Sequence, residues 1–245
     1  MEVSCGVSAE KGETEMGNAA AIFDKQRKEV VKNKEILIQF VMFPVLAFIM
    51  EHAVKVPGLP EHYFVRLFAS MYIGMAPLTV MAAVISEEKE KNTLRVLMFS
   101  GVRPAEYLLG TGGCVWMICM AGAFALCLTG QYRGMAMAGF MAAMGMGILT
   151  AMMIGAVIGM ISRNQMMATS IGVPVMLLFA FLPMLAQFNE KVKLVAAFTY
   201  SGQVGNLLAQ TGSGMEVWKS MAVISANMAA AVFLFGMAYR KGWPG

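Results

Sequence analysis

The sequence predicts an all-α polytopic membrane protein with six transmembrane helices. Three observations carry that prediction. The 245 residues are 58% hydrophobic and only 14% charged, too apolar for an ordinary water-soluble domain. The apolar residues gather into runs of about 20, the length that crosses roughly 30 Å of hydrocarbon. With the N-terminus inside, 13 of the 19 Lys and Arg residues fall on the cytoplasmic side, the bias that orients spans in a bilayer.

The elements follow in chain order. Residues 1–20 are polar, carry Gly6, Gly12 and Gly17, and lack the apolar core of a signal peptide. They are expected to form a flexible cytoplasmic head before a single transmembrane domain over 21–245. Ala21–Lys34 sets Ile22, Phe23, Val30 and Val31 on one helical side, with Lys25, Arg27, Lys28, Lys32 and Lys34 around them. That pattern suits an amphipathic helix on the membrane surface, or equally a solvated helix. The spans are expected at 35–54, 64–85, 107–129, 136–161, 169–188 and 220–239. The first has the shortest apolar core and begins at Glu35; the hairpin VKVPGLPEHY after it makes sense only outside the membrane. Both termini then lie in the cytoplasm. Tyr107, Tyr239 and Trp243 stand at the inner interface and Tyr63, Tyr132 and Trp218 at the outer one, as aromatic belts do. Asn189–Lys219 is too long for a simple hairpin. Its apolar pieces Val192–Phe198 and Val204–Leu208, broken by glycines, predict short re-entrant helices before the last span, shielded by the rest of the protein; a plain external loop is the alternative.

Several functions are excluded. No GxxxxGK[ST] loop occurs to cradle nucleotide phosphates, and no nucleophile–base pair or zinc helix motif is present. Cys114, Cys119 and Cys127 sit in one apolar run without a CxxC, which favours packing over a metal or disulfide framework. His52 and His62 flank the first external loop as lone histidines, so no metal site is expected. The basic residues form no continuous face for nucleic acid. No ionisable side chain lies mid-span, where proton- and ion-coupled carriers place their relays. Energy for uphill transport would have to arrive from another subunit.

The stretch Ser86–Gly110 is the longest charged interruption between spans. Glu87, Glu88, Lys89, Glu90 and Lys91 continue the second span outward, and Asn92 and Thr93 are good helix caps. Leu94, Val96, Leu97, Met98 and Phe99 make a short apolar helix, ended by Gly101 and Pro104. Such a helix is unfavourable in water. Docking into a groove of a cytoplasmic partner or folding back on the bilayer would each shelter it, and the residues alone leave both open.

The run EKEKNTLRVL, followed by SGVRPAEYLLG, resembles the signature after the second span of type 2 ABC transporter permeases. The matching positions are Glu88, Glu90, Thr93, Leu94, Leu97, Pro104, Glu106 and Gly110. The family's glycine before Thr is Asn92 here, which tolerates a left-handed backbone; the basic residue that often follows the last Gly is Thr111. The layout of leading helix, six spans and long fifth-to-sixth segment is similar as well. The resemblance implies that Glu87, Glu88, Glu90, Asn92, Thr93, Leu94, Leu97, Met98, Pro104 and Glu106 form a coupling helix and its flanks, seated in an ATPase subunit. It implies no cofactor in this chain, with ATP and Mg in two partner ABC ATPase subunits, and a second permease copy or paralogue beside it in the cell (inner or plasma) membrane, a bacterial one being expected.

Other features bear on packing and cargo. Gly139, Ala143, Gly147, Ala151, Gly155 and Gly159 recur every four residues, a ridge that lets another helix approach closely. Family architecture favours a neighbour within the same chain. Pro44, Pro77, Pro174 and Pro183 interrupt spans and invite kinks. Gln39, Thr150 and Asn227 are the polar mid-span candidates for touching substrate, and interhelical hydrogen bonds explain them as well. The resulting expectation is the permease subunit of an ATP-driven exporter of amphipathic or hydrophobic cargo: a peptide antibiotic, a lipid-like molecule or a drug. The rivals are a sodium or small-ion extruder and a non-transporting membrane scaffold or sensor.

Overall fold

Apolar runs punctuated by Gly, Pro and short polar pairs divide the chain into helices. The computed structural model describes residues 22–28, 34–54, 58–99, 104–209 and 214–241. The expected cytoplasmic head at 1–20 lies outside the described residues. The elements are α1 (22–28), α2 (Lys34–Ala53), α3 (Tyr63–Glu90), α4 (Thr93–Phe99), α5 (Pro104–Thr129), α6 (Gly134–Ile161), α7 (Gln165–Leu185), α8 (Glu190–Ala196), α9 (Tyr200–Ala209) and α10 (Gly214–Lys241). Among the described residues, five helices are long and apolar enough to cross a membrane: α3, α5, α6, α7 and α10. In α2, expected as the first span, Lys34 and Glu35 open the helix, and its described apolar stretch, Leu37–Ala53, is shorter than those five.

Helix starts differ from the expected spans where a local cap moves them. α7 begins at Gln165 rather than near Thr169, because the Asn164 side chain accepts a hydrogen bond from the Met167 amide at 2.9 Å and closes the first turn. α5 begins at Pro104, a residue well suited to a first helical position because it lacks an amide hydrogen.

α3 is the centre of the molecule and packs against α2, α4, α5, α6, α7 and α9. Small residues bring the backbones together. A Cβ on Gly155 would fall on the Leu78 carbonyl oxygen, and one on Gly159 would stand 2.8 Å from the Ile85 Cβ. On the other side of α3, a Cβ on Gly74 would be 2.5 Å from the Ala180 amide nitrogen of α7. Gly147 meets Ile73 of α3 and Val204 of α9, and Ala143 and Ala151 are buried. Gly139 is exposed and a Cβ there would meet nothing within 4 Å, so the close contact does not reach the start of α6. On the α5 side, the Tyr72 hydroxyl donates to the Cys119 carbonyl at 2.8 Å, and Phe40 and Phe43 of α2 meet the Tyr72 ring edge-on.

The stretch between α7 and α10 contains two short helices. α9 is inserted among α3, α6, α7 and α10, burying Tyr200, Val204 and Leu208. Its first turn is closed by the Thr199 hydroxyl, which accepts from Gly202 N at 3.3 Å. The Gln203 side chain accepts from Ser220 of α10 at 2.7 Å. α8 begins with Asn189 accepting from Lys191 N at 2.9 Å and leaves Leu194 and Val195 exposed. α1, α4 and the start of α7 therefore occupy one end of the bundle, the α4 end; α8 and α9 occupy the other, the α9 end.

Gly155→Ala is expected to push α6 off α3 and cost about 1–3 kcal/mol, the usual range for overpacking. Gly139→Ala, with open space around it, should be neutral. Thermal unfolding in detergent checks the pair.

Candidate functional site at the end of α3

Consecutive residues on an α-helix point about 100° apart, so a run of charges at a helix end can serve several neighbours. At the end of α3 this is what Glu87–Lys91 does. The Glu88 carboxylate accepts from Lys25 Nζ of α1 at 2.9 Å and is almost wholly buried. Lys89 Nζ donates to the Met160 carbonyl in the last turn of α6, where carbonyls lack helical partners. Glu90 accepts from the Gln165 amide of α7 at 3.0 Å, and a negative charge there also complements the helix dipole. Glu87 and Lys91, one turn apart, face outward and pair with each other at 2.5 Å. One helical turn thus ties α3 to α1, α6 and α7.

The same turn positions α4. Lys91 N and Asn92 N donate to the Glu87 and Lys89 carbonyls at 2.9 and 3.1 Å, and Val96 N donates to Asn92 O at 3.2 Å. Asn92 lies in the left-handed region at φ 56°, a backbone that Asn adopts more readily than most residues. The Thr93 hydroxyl donates to the Glu88 carbonyl at 3.0 Å. That side chain therefore closes off the end of α3. The link between the two helices is only Lys91 and Asn92. Leu94, expected on the partner-facing surface, is turned inward and joins the core cluster. Val96 and Phe99 are the exposed apolar side chains, at 66% and 70%. The side chains of Leu97, Met98 and Pro104 lie outside the described residues.

α1 is seated on the bundle through its own sequence. Ile22 and Gln26 are buried, and Phe23 lies beside Gly113 of α5. Asp24 collects Arg27 and Lys28 at 2.7 and 2.8 Å. The hydrogen bond from Lys28 holds the Asp24 carboxyl below its usual range, with Arg27 adding to it. Lys25 is left to reach Glu88. Glu106 is buried in the first turn of α5.

A small helix hinged to a spanning helix by a charged turn is the arrangement that the Ser86–Gly110 motif resembles. The profile of ABC-2 family transporter proteins matches residues 16–240, almost the entire chain. The chain belongs to the ABC-2 family of transporters. No curated protein matches it. It is an integral membrane protein of the permease type, the membrane subunit of an ABC transporter, and membership of this family implies an ABC ATPase as partner.

In this ABC-2 permease the polar mid-span residues have different surroundings. Gln39 accepts from the Thr79 hydroxyl at 2.9 Å, and both line a cleft of about 190 Å³ between α2, α3 and α7. Thr150 is fully buried, its hydroxyl donating to Met146 O at 3.0 Å. The Asn227 amide donates to Phe198 O at 3.0 Å, and so ties α10 to the chain after α8. The parts played by Lys25, Lys89 and Gln165 are not among the features expected from the sequence. The available signal was the charge order itself: alternating charges on successive residues cannot share one face, so each needs a separate neighbour.

Removing Lys25 leaves a buried carboxylate without its cation. Lys25→Met is expected to cost on the order of 2 kcal/mol, below the roughly 3–5 of a fully buried pair, because the Lys25 side chain is 38% exposed. The double variant Lys25→Met/Glu88→Leu should recover most of that loss. Chemical unfolding of the three proteins measures the difference.

Proposed function

We propose that this permease works in an ATP-driven exporter and that α4 is the helix by which a cytoplasmic ATPase moves it. The observation that carries this reading is the pairing of two properties at one place. α4 presents Val96 and Phe99 outward, an apolar surface suited to a groove on a partner. The turn behind it is bonded to α1, α6 and α7 through Glu88, Lys89 and Glu90. A push on α4 would therefore reach three helices and not one. In this reading the α4 end is cytoplasmic, α2 is also a span, the first of six in chain order, and α8 and α9 re-enter the membrane from the outside. Two permeases, alike or paralogous, stand over two ATPases that bind ATP and Mg.

The cleft supports an amphipathic cargo entering from the cytoplasm or the inner leaflet. Its wall is formed by amides and hydroxyls, Gln39, Thr79, Gln165 and Thr169, set among apolar residues such as Val173 and Met176. No carboxylate lines it among the described residues, which favours this cargo over sodium or another small ion. A peptide antibiotic, a lipid-like molecule or a drug has the matching chemistry. A membrane scaffold without transport would need the same α4 surface but no nucleotide.

The test is co-purification of the ATPase and ATP hydrolysis by the complex. Val96→Asp/Phe99→Asp should leave the permease folded while reducing bound ATPase and hydrolysis at least tenfold. Leu94→Asp, in the core, should instead lower the thermal stability of the permease alone. Full coupling in the Val96/Phe99 variant would refute the assignment of α4.

A further inference from the structure

At the α9 end, far from α4, a crevice of about 530 Å³ opens between the start of α3, the end of α7, and α8 and α9. Its size falls in the range of small-molecule sites. Among the described residues its lining holds two cations, Arg66 and Lys193, and one carboxylate, Glu190. The Arg66 guanidinium is held by backbone carbonyls: His62 O and Ala209 O, each at 3.4 Å, and Glu61 O. Carbonyls orient a guanidinium without neutralising it. Neither Arg66 nor Lys193 has an ion pair among the described residues. The nearby Glu51 faces His62 at 3.5 Å instead. Ser70 and Asn206 add hydrogen-bonding groups to the wall.

Exposed apolar side chains stand beside the crevice. Phe188, itself a lining residue, is 75% exposed, and Leu194 and Phe198 of the α8 segment are 68% and 76% exposed. A crevice with one more cation than carboxylate among its described lining residues, beside exposed apolar side chains, matches one kind of ligand: an anionic head attached to hydrocarbon.

We propose that the crevice formed by Arg66, Lys193 and Glu190 binds the anionic head of an amphiphile, with a phosphate diester as the fitting chemistry and its chains lying against Phe188, Leu194 and Phe198. The Arg66 fork, fixed by its carbonyl partners, suits two phosphate oxygens. Lys193 supplies a second, mobile charge at the mouth, and Glu190 limits the net charge of the site. This assignment rests on the crevice and stands whether or not the transport reading does.

The test uses the full chain in detergent, equilibrated with equimolar phosphatidylglycerol and phosphatidylcholine of identical acyl chains, with retained lipid counted by native mass spectrometry. The wild-type protein should retain phosphatidylglycerol about fivefold over phosphatidylcholine, the factor expected of one basic group near an anionic head. Lys193→Glu, an exposed substitution, should abolish that preference, and Glu190→Gln should raise it. Displacement of phosphatidylglycerol by excess inorganic phosphate, at a constant ionic strength of about 0.15 M, would show that the phosphate alone is recognised. Retention under that competition would assign the site to a lipid head. Equal retention of the two lipids by the wild-type chain, or a preference that survives Lys193→Glu, would overturn the proposal.

Discussion

The buried carboxylate of Glu88 is the constraint on which the α4 end depends. A charge in that position is tolerated only with a cation beside it, and the cation comes from Lys25, 63 residues earlier in the chain. The pair therefore brings α1 against α3 and α5. The next two residues repeat the operation with backbone partners, since helix ends offer unused carbonyls and amides. Lys89 takes a carbonyl at the end of α6, and Glu90 takes an amide at the start of α7. Polar bonds at the helix ends hold what glycine contacts hold within the bundle. Under the proposed function this is also why a helix as short as α4 can matter: it is joined to a turn that is bonded to α1, α6 and α7.

Within the bundle the governing effect is distance between backbones. Lipid removes the hydrophobic drive between helices, so close packing of small residues takes over. α3 meets α6 at Gly155 and Gly159, and α7 at Gly74. These contacts leave little room for independent sliding of the three helices. The looser surfaces lie elsewhere: α7 and α10 are mostly exposed along their apolar windows.

Much of this was legible in the residues. The apolar runs gave the long helices, the four-residue ridge of α6 pointed to close packing, and Asn92 in place of glycine anticipated a left-handed turn. Other features were not legible, for physical reasons. Leu94 and Val96 are equally apolar, and only the rotation of α4 on its turn decides that one faces the core and the other faces out. Lys25 is one of several basic residues in its segment; it alone of the three in α1 reaches Glu88, while Arg27 and Lys28 pair with Asp24. Arg66 reads as a span-end charge in the sequence, and its position in a crevice depends on α9 folding back beside it. Each of these is a long-range relation, which periodicity and local propensity do not encode.

The most direct test of the central claim is a pair of spin-label distances in the reconstituted transporter, with and without ATP. Labels at Lys28 of α1 and Arg163 ahead of α7 report on one end of a single permease; Arg163 labels in two copies report across the assembly. If the end of α3 binds its neighbours into one moving body, the Lys28–Arg163 distance stays constant while the distance between copies shifts. A Lys28–Arg163 distance that changes with nucleotide, while the copies keep their separation, would contradict the account.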